Sequence, residues 1–271
     1  MRAEADGVGI SYEVTGEGRP VILLHGFPDT GRLWRHQVTA LAAAGFRVIV
    51  PDLRGYGRSD KPEEVEAYSL PALAGDVMAV LADLGVERAH VVGHDWGAAL
   101  AWVLASLAPD RVDHLAVLSV GHPATFRRTL AQNEKSWYML LFQFAGIAEH
   151  WLSDSDWANF RRWARHPDAD GVISELEASS SLTPALNWYR ANVPPESWTA
   201  PPLALPPVQA PAMGIWSSGD MALTETQMTD SAENVTGPWR YERIDGPGHW
   251  MQLEAPDTIS RLLVDFLPDQ G

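Results

Sequence analysis

The stretch His90–Trp102, HVVGHDWGAALAW, is the part of the sequence that decides the fold. An apolar run is followed by Asp95 between two glycines, and then by a second apolar segment. This order predicts a buried strand, a tight turn and a helix, because Gly93 and Gly97 let the strand and the helix approach closely. The turn places Asp95 at a helix N-terminus, where backbone amides favour negative charge. An ordinary strand–helix turn has the same pattern, so the partners of Asp95 must establish its role.

Strand-like and helix-like segments alternate around this turn. Apolar runs typical of strands covered on both faces are VILLHG, FRVIVPD and VDHLAVLSVG. Helical spacing occurs between them in GRLWRHQVTALAAAG and SLPALAGDVMAVLADLG. The first strand-like segment, GISYEV, alternates as an edge or antiparallel strand does. This rhythm predicts an α/β fold with a mostly parallel central sheet flanked by helices on both faces.

The alternation stops after Gly121. The following segment is helical in pattern, rich in tryptophan and free of strand-like runs, and a proline cluster closes it. Strand-like PAMGIWSSGD and RYERIDGPGH and a helical APDTISRLLVDFL then resume the earlier rhythm. We therefore expect one α/β core formed by residues 1–122 and 208–271, with residues 123–207 inserted as a helical cap, or lid.

Composition excludes several classes of function. The net charge of −15 argues against a nucleic-acid partner, which requires a basic surface. The chain has no cysteine, hence no disulfide, thiolate nucleophile or cysteine-based metal site. No uncharged apolar run is long enough to cross a bilayer, and the N-terminus lacks the pattern of a signal peptide. We expect a cytoplasmic protein that needs no cofactor and no metal, with a homodimer as one option for its oligomeric state.

Asp220 and His249, which lie later in the chain, complete a catalytic triad in the order nucleophile, acid, histidine. Asp220 ends the strand-like segment with SSGD, and His249 follows the next strand-like segment in GPGHW. Carboxyl ends of parallel strands share one edge of the sheet, where ligands bind. Asp245 and Glu225 compete with Asp220, but one lies in the histidine loop and the other in a predicted helix.

The loop after the third strand, HGFPD, is where an oxyanion hole receives a second donor. We assign the backbone N–H groups of Phe27 and Trp96 to this hole. We expect the other polar residues near these motifs to be structural: His25, Gly26, Asp52, Arg54, Ser59 and His94.

A carboxylate nucleophile changes the chemistry that the turn supports. With a reference pKa near 3.9, Asp95 is ionised at neutral pH and needs no base for its attack. Attack on an acyl carbon gives a reactive anhydride, whereas attack on a saturated carbon gives an ordinary alkyl ester. Water deprotonated by His249 then hydrolyses that ester, with the tetrahedral charge in the oxyanion hole. The substrate is therefore an epoxide, a carbon–halogen compound or a similar electrophile.

Over nearly its whole length, the sequence resembles the soluble epoxide hydrolases of the α/β-hydrolase superfamily. The motifs that carry the resemblance are HGFPDTGRLWRHQ, PDLRGYGRSDKP, VVGHDWGAALAW and GHWMQLEAP. The lid segments YMLLFQFAGIAE and ALNWYR are similar to the two tyrosine-bearing motifs of that family. The resemblance implies that Tyr138 and Tyr189 hydrogen-bond the epoxide oxygen, and that a vicinal diol is the product. The tryptophan-rich lid indicates an apolar or aromatic epoxide.

Two alternatives stay open. Haloalkane dehalogenases share the HDWG turn and use the indole after the nucleophile to bind halide, so Trp96 fits both families. They often carry an asparagine where this chain has Phe27, which offers no side-chain donor. Fluoroacetate dehalogenases carry an arginine near the turn, where this chain has Trp96. The second alternative is a non-catalytic small-molecule binding protein on the same fold, against which the complete set of catalytic side chains argues.

Overall fold

The computed structural model describes residues 1–126, 129–201 and 203–268, and its centre is one twisted sheet. Its strands are β1 Arg2–Ala5, β2 Val8–Thr15, β3 Arg19–Leu24, β4 Phe46–Pro51, β5 Ala89–His94, β6 Val112–Leu118, β7 Ala212–Ser217 and β8 Trp239–Ile244. They lie in the order β1-β2-β4-β3-β5-β6-β7-β8. The six strands from β4 to β8 along this order are parallel, and β1 and β2 are antiparallel to their neighbours. The predicted α/β fold with a mostly parallel sheet is confirmed.

Helices cover both faces of the sheet and fill one long connection. They are α1 Arg35–Ala43, α2 Leu70–Asp83, α3 Trp96–Leu107, α4 Leu130–Lys135, α5 Trp137–Leu141, α6 Ile147–Ala164, α7 Ala169–Ser179, α8 Leu182–Asn192, α9 Glu225–Thr229, α10 Met251–Glu254 and α11 Pro256–Phe266. Within the described ranges, none of them combines the length and the apolar character that crossing a bilayer requires.

Helices α4 to α8 all lie between β6 and β7, in the segment predicted to form the cap. No strand occurs among the described residues of that segment. The division into a core and a cap stays a prediction, which this topology supports. The sequence pattern missed β1, whose four residues RAEA carry little strand signal and pair with β2. Because β1 covers the edge, GISYEV forms an inner antiparallel strand.

The core lies where the parallel strands meet the helices. All six residues of β5 are buried, and ten of the twelve residues of α3 are buried behind it. Burial of each valine or leucine side chain contributes about 1.5–3 kcal/mol, so the packing of β5 against α3 holds the turn between them in place. Trp102 of α3 is fully buried and donates its indole N–H to the carbonyl of Val120 at 3.1 Å, which ties α3 to the chain after β6.

Candidate active site

The turn between β5 and α3 holds Asp95 in a strained conformation. Its φ is 53° and its ψ is −123°, a region that non-glycine residues seldom adopt. Close contacts with neighbouring backbone atoms explain why glycine is needed at positions 93 and 97, on either side of Asp95. A Cβ on Gly97 would lie 2.1 Å from the carbonyl oxygen of Leu24, and one on Gly93 would lie 2.3 Å from the carbonyl oxygen of Gly97. The close packing of strand and helix therefore presents the carboxylate at the sheet edge.

Two backbone N–H groups donate to this carboxylate. The N–H of Phe27 donates to Oδ1 of Asp95 at 2.8 Å. A hydrogen bond from the Trp96 backbone N–H also reaches Asp95 and lowers its pKa. Gly26 makes this approach possible, because a Cβ there would lie 2.4 Å from Oδ1. The structure thus brings both predicted donors to the nucleophile, as an oxyanion hole requires.

The second carboxylate oxygen faces the histidine. Nε2 of His249 lies 3.5 Å from Oδ2 of Asp95, and Nδ1 lies 3.1 Å from Oδ2 of Asp220. Asp220 is held in turn by the backbone N–H groups of Ala222 and Leu223, which donate to its Oδ1 at 2.8 and 2.9 Å. All three catalytic candidates are buried. This is the geometry of a nucleophile, a base and an orienting acid.

The two competing acids lie elsewhere. Asp245 and Glu225 both form ion pairs with Arg243 at the surface, and neither contacts His249. Of the three carboxylates considered for this role, Asp220 is the one within hydrogen-bond distance of the imidazole.

Charge and burial set the protonation of the site. Burial opposes the charge on Asp95, but the hydrogen bond and charge of His249 lower its pKa below the usual value, so it stays ionised. Asp220 behaves in the same way, with further lowering by Ser119 and the N–H of Leu223. Burial lowers the pKa of His249, yet Asp220 and Asp95 together raise it to about 10. The two carboxylates therefore favour the protonated form of the imidazole.

Tyr138 and Tyr189 line the same cavity as the nucleophile. Both are 2% exposed, and both line a cavity of about 470 Å³ together with Asp95. Burial and the charge of Asp95 raise the pKa of Tyr189 well above its usual value, so its hydroxyl stays protonated. Apolar side chains form much of the wall, among them Leu70, Val120, Met139, Val193 and Leu223. Among the described residues, no group of three His, Asp or Glu side chains is arranged to hold a metal ion.

A second, much smaller space adjoins the same residues. It measures about 10 Å³ and is lined by Asp95, His249, Phe27, Trp163 and Trp250, among others. This volume is close to that of a single water molecule. Because Asp95 and His249 both line it, a water in this space would lie beside the imidazole and the carboxylate.

The sequence analysis missed Ser119, which follows β6. Its φ is 72°, and its hydroxyl donates to Oδ2 of Asp220 at 2.5 Å. The hydroxyl oxygen of Ser119 also lies 2.9 Å from Nδ1 of His249. Backbone strain at a residue that contacts the catalytic pair points to function. Nothing in the segment LSVG distinguishes this serine from an ordinary strand end, so only the spatial contact reveals it.

The residues expected to be structural support the site from behind. Nε2 of His25 accepts the N–H of Leu53 at 2.9 Å, which fixes the loop that carries Gly26. His94 donates to the carbonyl of His249 at 2.9 Å, and burial lowers its pKa to about 4, so it is neutral. The predicted structural set in PDLRGYGRSD is also tied into the fold by hydrogen bonds: Asp52, Arg54 and Ser59.

Comparison with known proteins identifies close relatives. The family model described as the alpha/beta hydrolase fold matches residues 19–256. The chain is 36% identical to epoxide hydrolase A of Mycobacterium tuberculosis, covering 97% of this chain and 95% of that protein. It is 31% identical to epoxide hydrolase 3 of Xenopus tropicalis, covering 99% and 77%. The crystal structure of a Bacillus megaterium epoxide hydrolase bound to an inhibitor is similar with a TM-score of 0.89, at 27% identity and covering 98% and 99% of the two chains.

Proposed function

Because the chain belongs to the epoxide hydrolases of the α/β-hydrolase superfamily, we propose that it adds water to an epoxide through an ester of Asp95. One observation carries the assignment of the site. The Asp95 carboxylate has a backbone donor on one oxygen and His249 on the other, and two tyrosines share its cavity. The product is a vicinal diol.

The first step forms the ester. Oδ2 of Asp95 attacks a ring carbon, the carbon–oxygen bond of the epoxide breaks, and the oxygen becomes an alkoxide that takes up one proton, while His249 gives up one proton as Asp95 loses its charge. Tyr138 and Tyr189 donate hydrogen bonds to that oxygen as its charge develops, which lowers the barrier in a buried site. The raised pKa of Tyr189 supports this role, because a protonated hydroxyl is the required donor.

The second step hydrolyses the ester. Alkylation removes the charge of Asp95, one of the two carboxylates that raise the pKa of His249, and so frees the imidazole to act as a base. His249 takes a proton from water, and the hydroxide adds to the ester carbonyl carbon. Oδ1 carries the negative charge against the N–H groups of Phe27 and Trp96. Collapse of the adduct breaks the bond between the acyl carbon and Oδ2 and releases the diol, which receives a proton from His249; the proton of the new Asp95 carboxyl group then passes to His249 and restores the resting site.

The cavity indicates the class of substrate. Its apolar wall favours an apolar or aromatic epoxide, and its volume of about 470 Å³ suits a small organic molecule. We further propose that residues 123–207 act as a lid, since α5 and α8 supply Tyr138 and Tyr189. The cytoplasmic location and the homodimer stay predictions from the sequence.

Trapping the ester tests the proposal. The His249→Gln variant, incubated with styrene oxide, is expected to gain the mass of one epoxide, because alkylation proceeds and hydrolysis does not. Proteolysis and mass spectrometry should locate the added mass on Asp95. The matched control is His90→Gln, which changes a buried histidine outside the cavity and should turn over without accumulating an adduct. Full turnover by His249→Gln with no adduct would contradict the mechanism.

One feature favours halide release as a second activity. Trp163 lines the small space beside Asp95, and its buried indole N–H has no hydrogen-bond partner among the described residues. An indole N–H is the kind of donor that a departing halide requires. Incubation with 1-bromobutane and measurement of free bromide tests this activity, and the absence of bromide would dismiss it.

A further inference from the structure

A buried carboxylate outside the catalytic set connects three parts of the molecule. Asp29 lies in the loop after β3 and is 4% exposed. Its Oδ2 accepts the indole N–H of Trp250 at 2.9 Å, and its Oδ1 lies 3.2 Å from Nε2 of His166. Trp250 directly follows His249, and His166 lies between α6 and α7 in the lid segment. Three regions distant in sequence therefore meet at one carboxylate.

The hydrogen bonds of His166 define its tautomer. Nδ1 accepts the backbone N–H of Asp168 at 3.0 Å, so the proton lies on Nε2 and is donated to Asp29. The His166 side chain is fully covered, and its ring packs edge-on against Trp250 at 4.4 Å between centroids. Burial opposes the charge on Asp29, but His166 lowers its pKa. An ionised carboxylate thus accepts both donors, and such buried contacts are costly to break.

Asp29 also fixes the two groups that act on the ester. Its backbone N–H donates to the carbonyl of Gly26 at 2.9 Å, which closes the turn around Phe27. That turn sets the N–H of Phe27 against Asp95. On the other side, the Trp250 ring packs against the His249 ring at 4.9 Å between centroids. A shift of Asp29 therefore moves both an oxyanion donor and the base.

We propose that Asp29 is a positioning residue for hydrolysis of the Asp95 ester, an inference that rests on the proposed function. It holds the oxyanion loop, the His249 loop and the lid segment in register through its side chain. The oxyanion donor and the base act in the second step, whereas the first step depends on Asp95 and the two tyrosines. Loss of this contact therefore slows hydrolysis more than alkylation.

The Asp29→Asn variant tests the proposal. It keeps the size of the side chain but replaces one acceptor oxygen with an NH₂ group, which cannot accept the N–H of Trp250 or His166. Single-turnover mass spectrometry with styrene oxide measures the formation and the loss of the ester separately. We expect loss of the ester to slow by about 10- to 100-fold, as a displacement of roughly 1 Å does. We expect its formation to change by less than about threefold, so that the ester accumulates.

Variants of the partner residue provide the matched pair. His166→Gln keeps an N–H donor for Asp29 and should hydrolyse the ester at nearly the wild-type rate. His166→Leu removes the donor and should slow hydrolysis without slowing alkylation. If Asp29→Asn does not fold, this pair alone decides the proposal. Equal rates of ester hydrolysis in the two His166 variants would overturn it.

A buried pair elsewhere controls for a loss of stability alone. Asp76→Asn removes the acid of a buried ion pair with Arg54, 2.5 Å apart and outside the lining of the cavity. This variant should melt at a lower temperature with an unchanged ratio of the two rates. An Asp29→Asn enzyme that slows both steps equally, or that hydrolyses the ester normally, would also refute the proposal. Failure of His249→Gln to form any adduct would count instead against the ester mechanism itself.

Discussion

Gly26→Ala is the perturbation whose effect follows most directly from the geometry. An added Cβ would lie 2.4 Å from Oδ1 of Asp95 and 2.7 Å from the backbone nitrogen of Trp96. Ordinary contact needs about 3.4 Å or more, so the carboxylate must move by roughly 1 Å. The hydrogen bond that this carboxylate accepts from the N–H of Phe27 is 2.8 Å long in the wild-type protein, and the movement would lengthen it beyond the usual range. The variant should therefore lose this donor of the oxyanion hole.

The expected loss falls mainly on hydrolysis of the ester. Removing one oxyanion donor costs about 10²–10³-fold in rate, equal to about 2.7–4 kcal/mol in the barrier. Quenched-flow mass spectrometry under single-turnover conditions should show the ester on Asp95 forming and then persisting. Gly75→Ala is the matched control, because a Cβ on Gly75 in α2 meets nothing within 4 Å. It should leave both steps unchanged and stabilise the helix by about 0.5–1 kcal/mol. Hydrolysis by Gly26→Ala within about threefold of wild type would refute the reasoning.

Three further results are expected. Tyr189→Phe removes a donor to the developing alkoxide and should slow ester formation by about 10- to 100-fold, from a charge-assisted bond of about 1.5–3 kcal/mol; an unchanged rate of alkylation argues against this role. The raised pKa of His249 stabilises the folded protein; this contribution is fully present below pH 6.5 and is lost as the pH rises to about 10. The unfolding free energies of wild type and His249→Gln, measured in urea, should therefore converge over that range, and a constant difference contradicts this. In ¹⁸O-water, the first turnover should label Asp95 and leave the diol unlabelled; labelled diol from that turnover indicates direct attack by water.

Local signals were enough to predict the centre of this site. The spacing of Gly93 and Gly97 around Asp95 is a local signal, although Gly97 is required by contact with the end of β3, and the apolar runs of β3, β4, β5 and β6 show their burial directly. Asp220 and His249 could be found because strand ends share one edge of the sheet. The order of the chain then restricts which acid and which histidine can meet.

The parts that were missed depend on contacts across the fold. Ser119 contacts Asp220, about a hundred residues later, and Asp29 contacts His166 in the lid segment. Neither residue type is unusual in its local sequence, since serine and aspartate are common at strand ends and in loops. β1 was missed for a related reason, because its pairing with β2 makes it a strand despite a composition of RAEA.

The space of about 10 Å³ beside His249 and Asp95 affects which nucleophiles can resolve the ester. It has about the volume of one water molecule and therefore favours water over methanol or an amine, which need more room. The ester should therefore be hydrolysed even in mixed solvents where alcohol is abundant. Methanol that reached the ester carbonyl carbon would still release the diol but would leave a methyl ester on Asp95, so a wider space at Trp163 would make the enzyme sensitive to inactivation by alcohols.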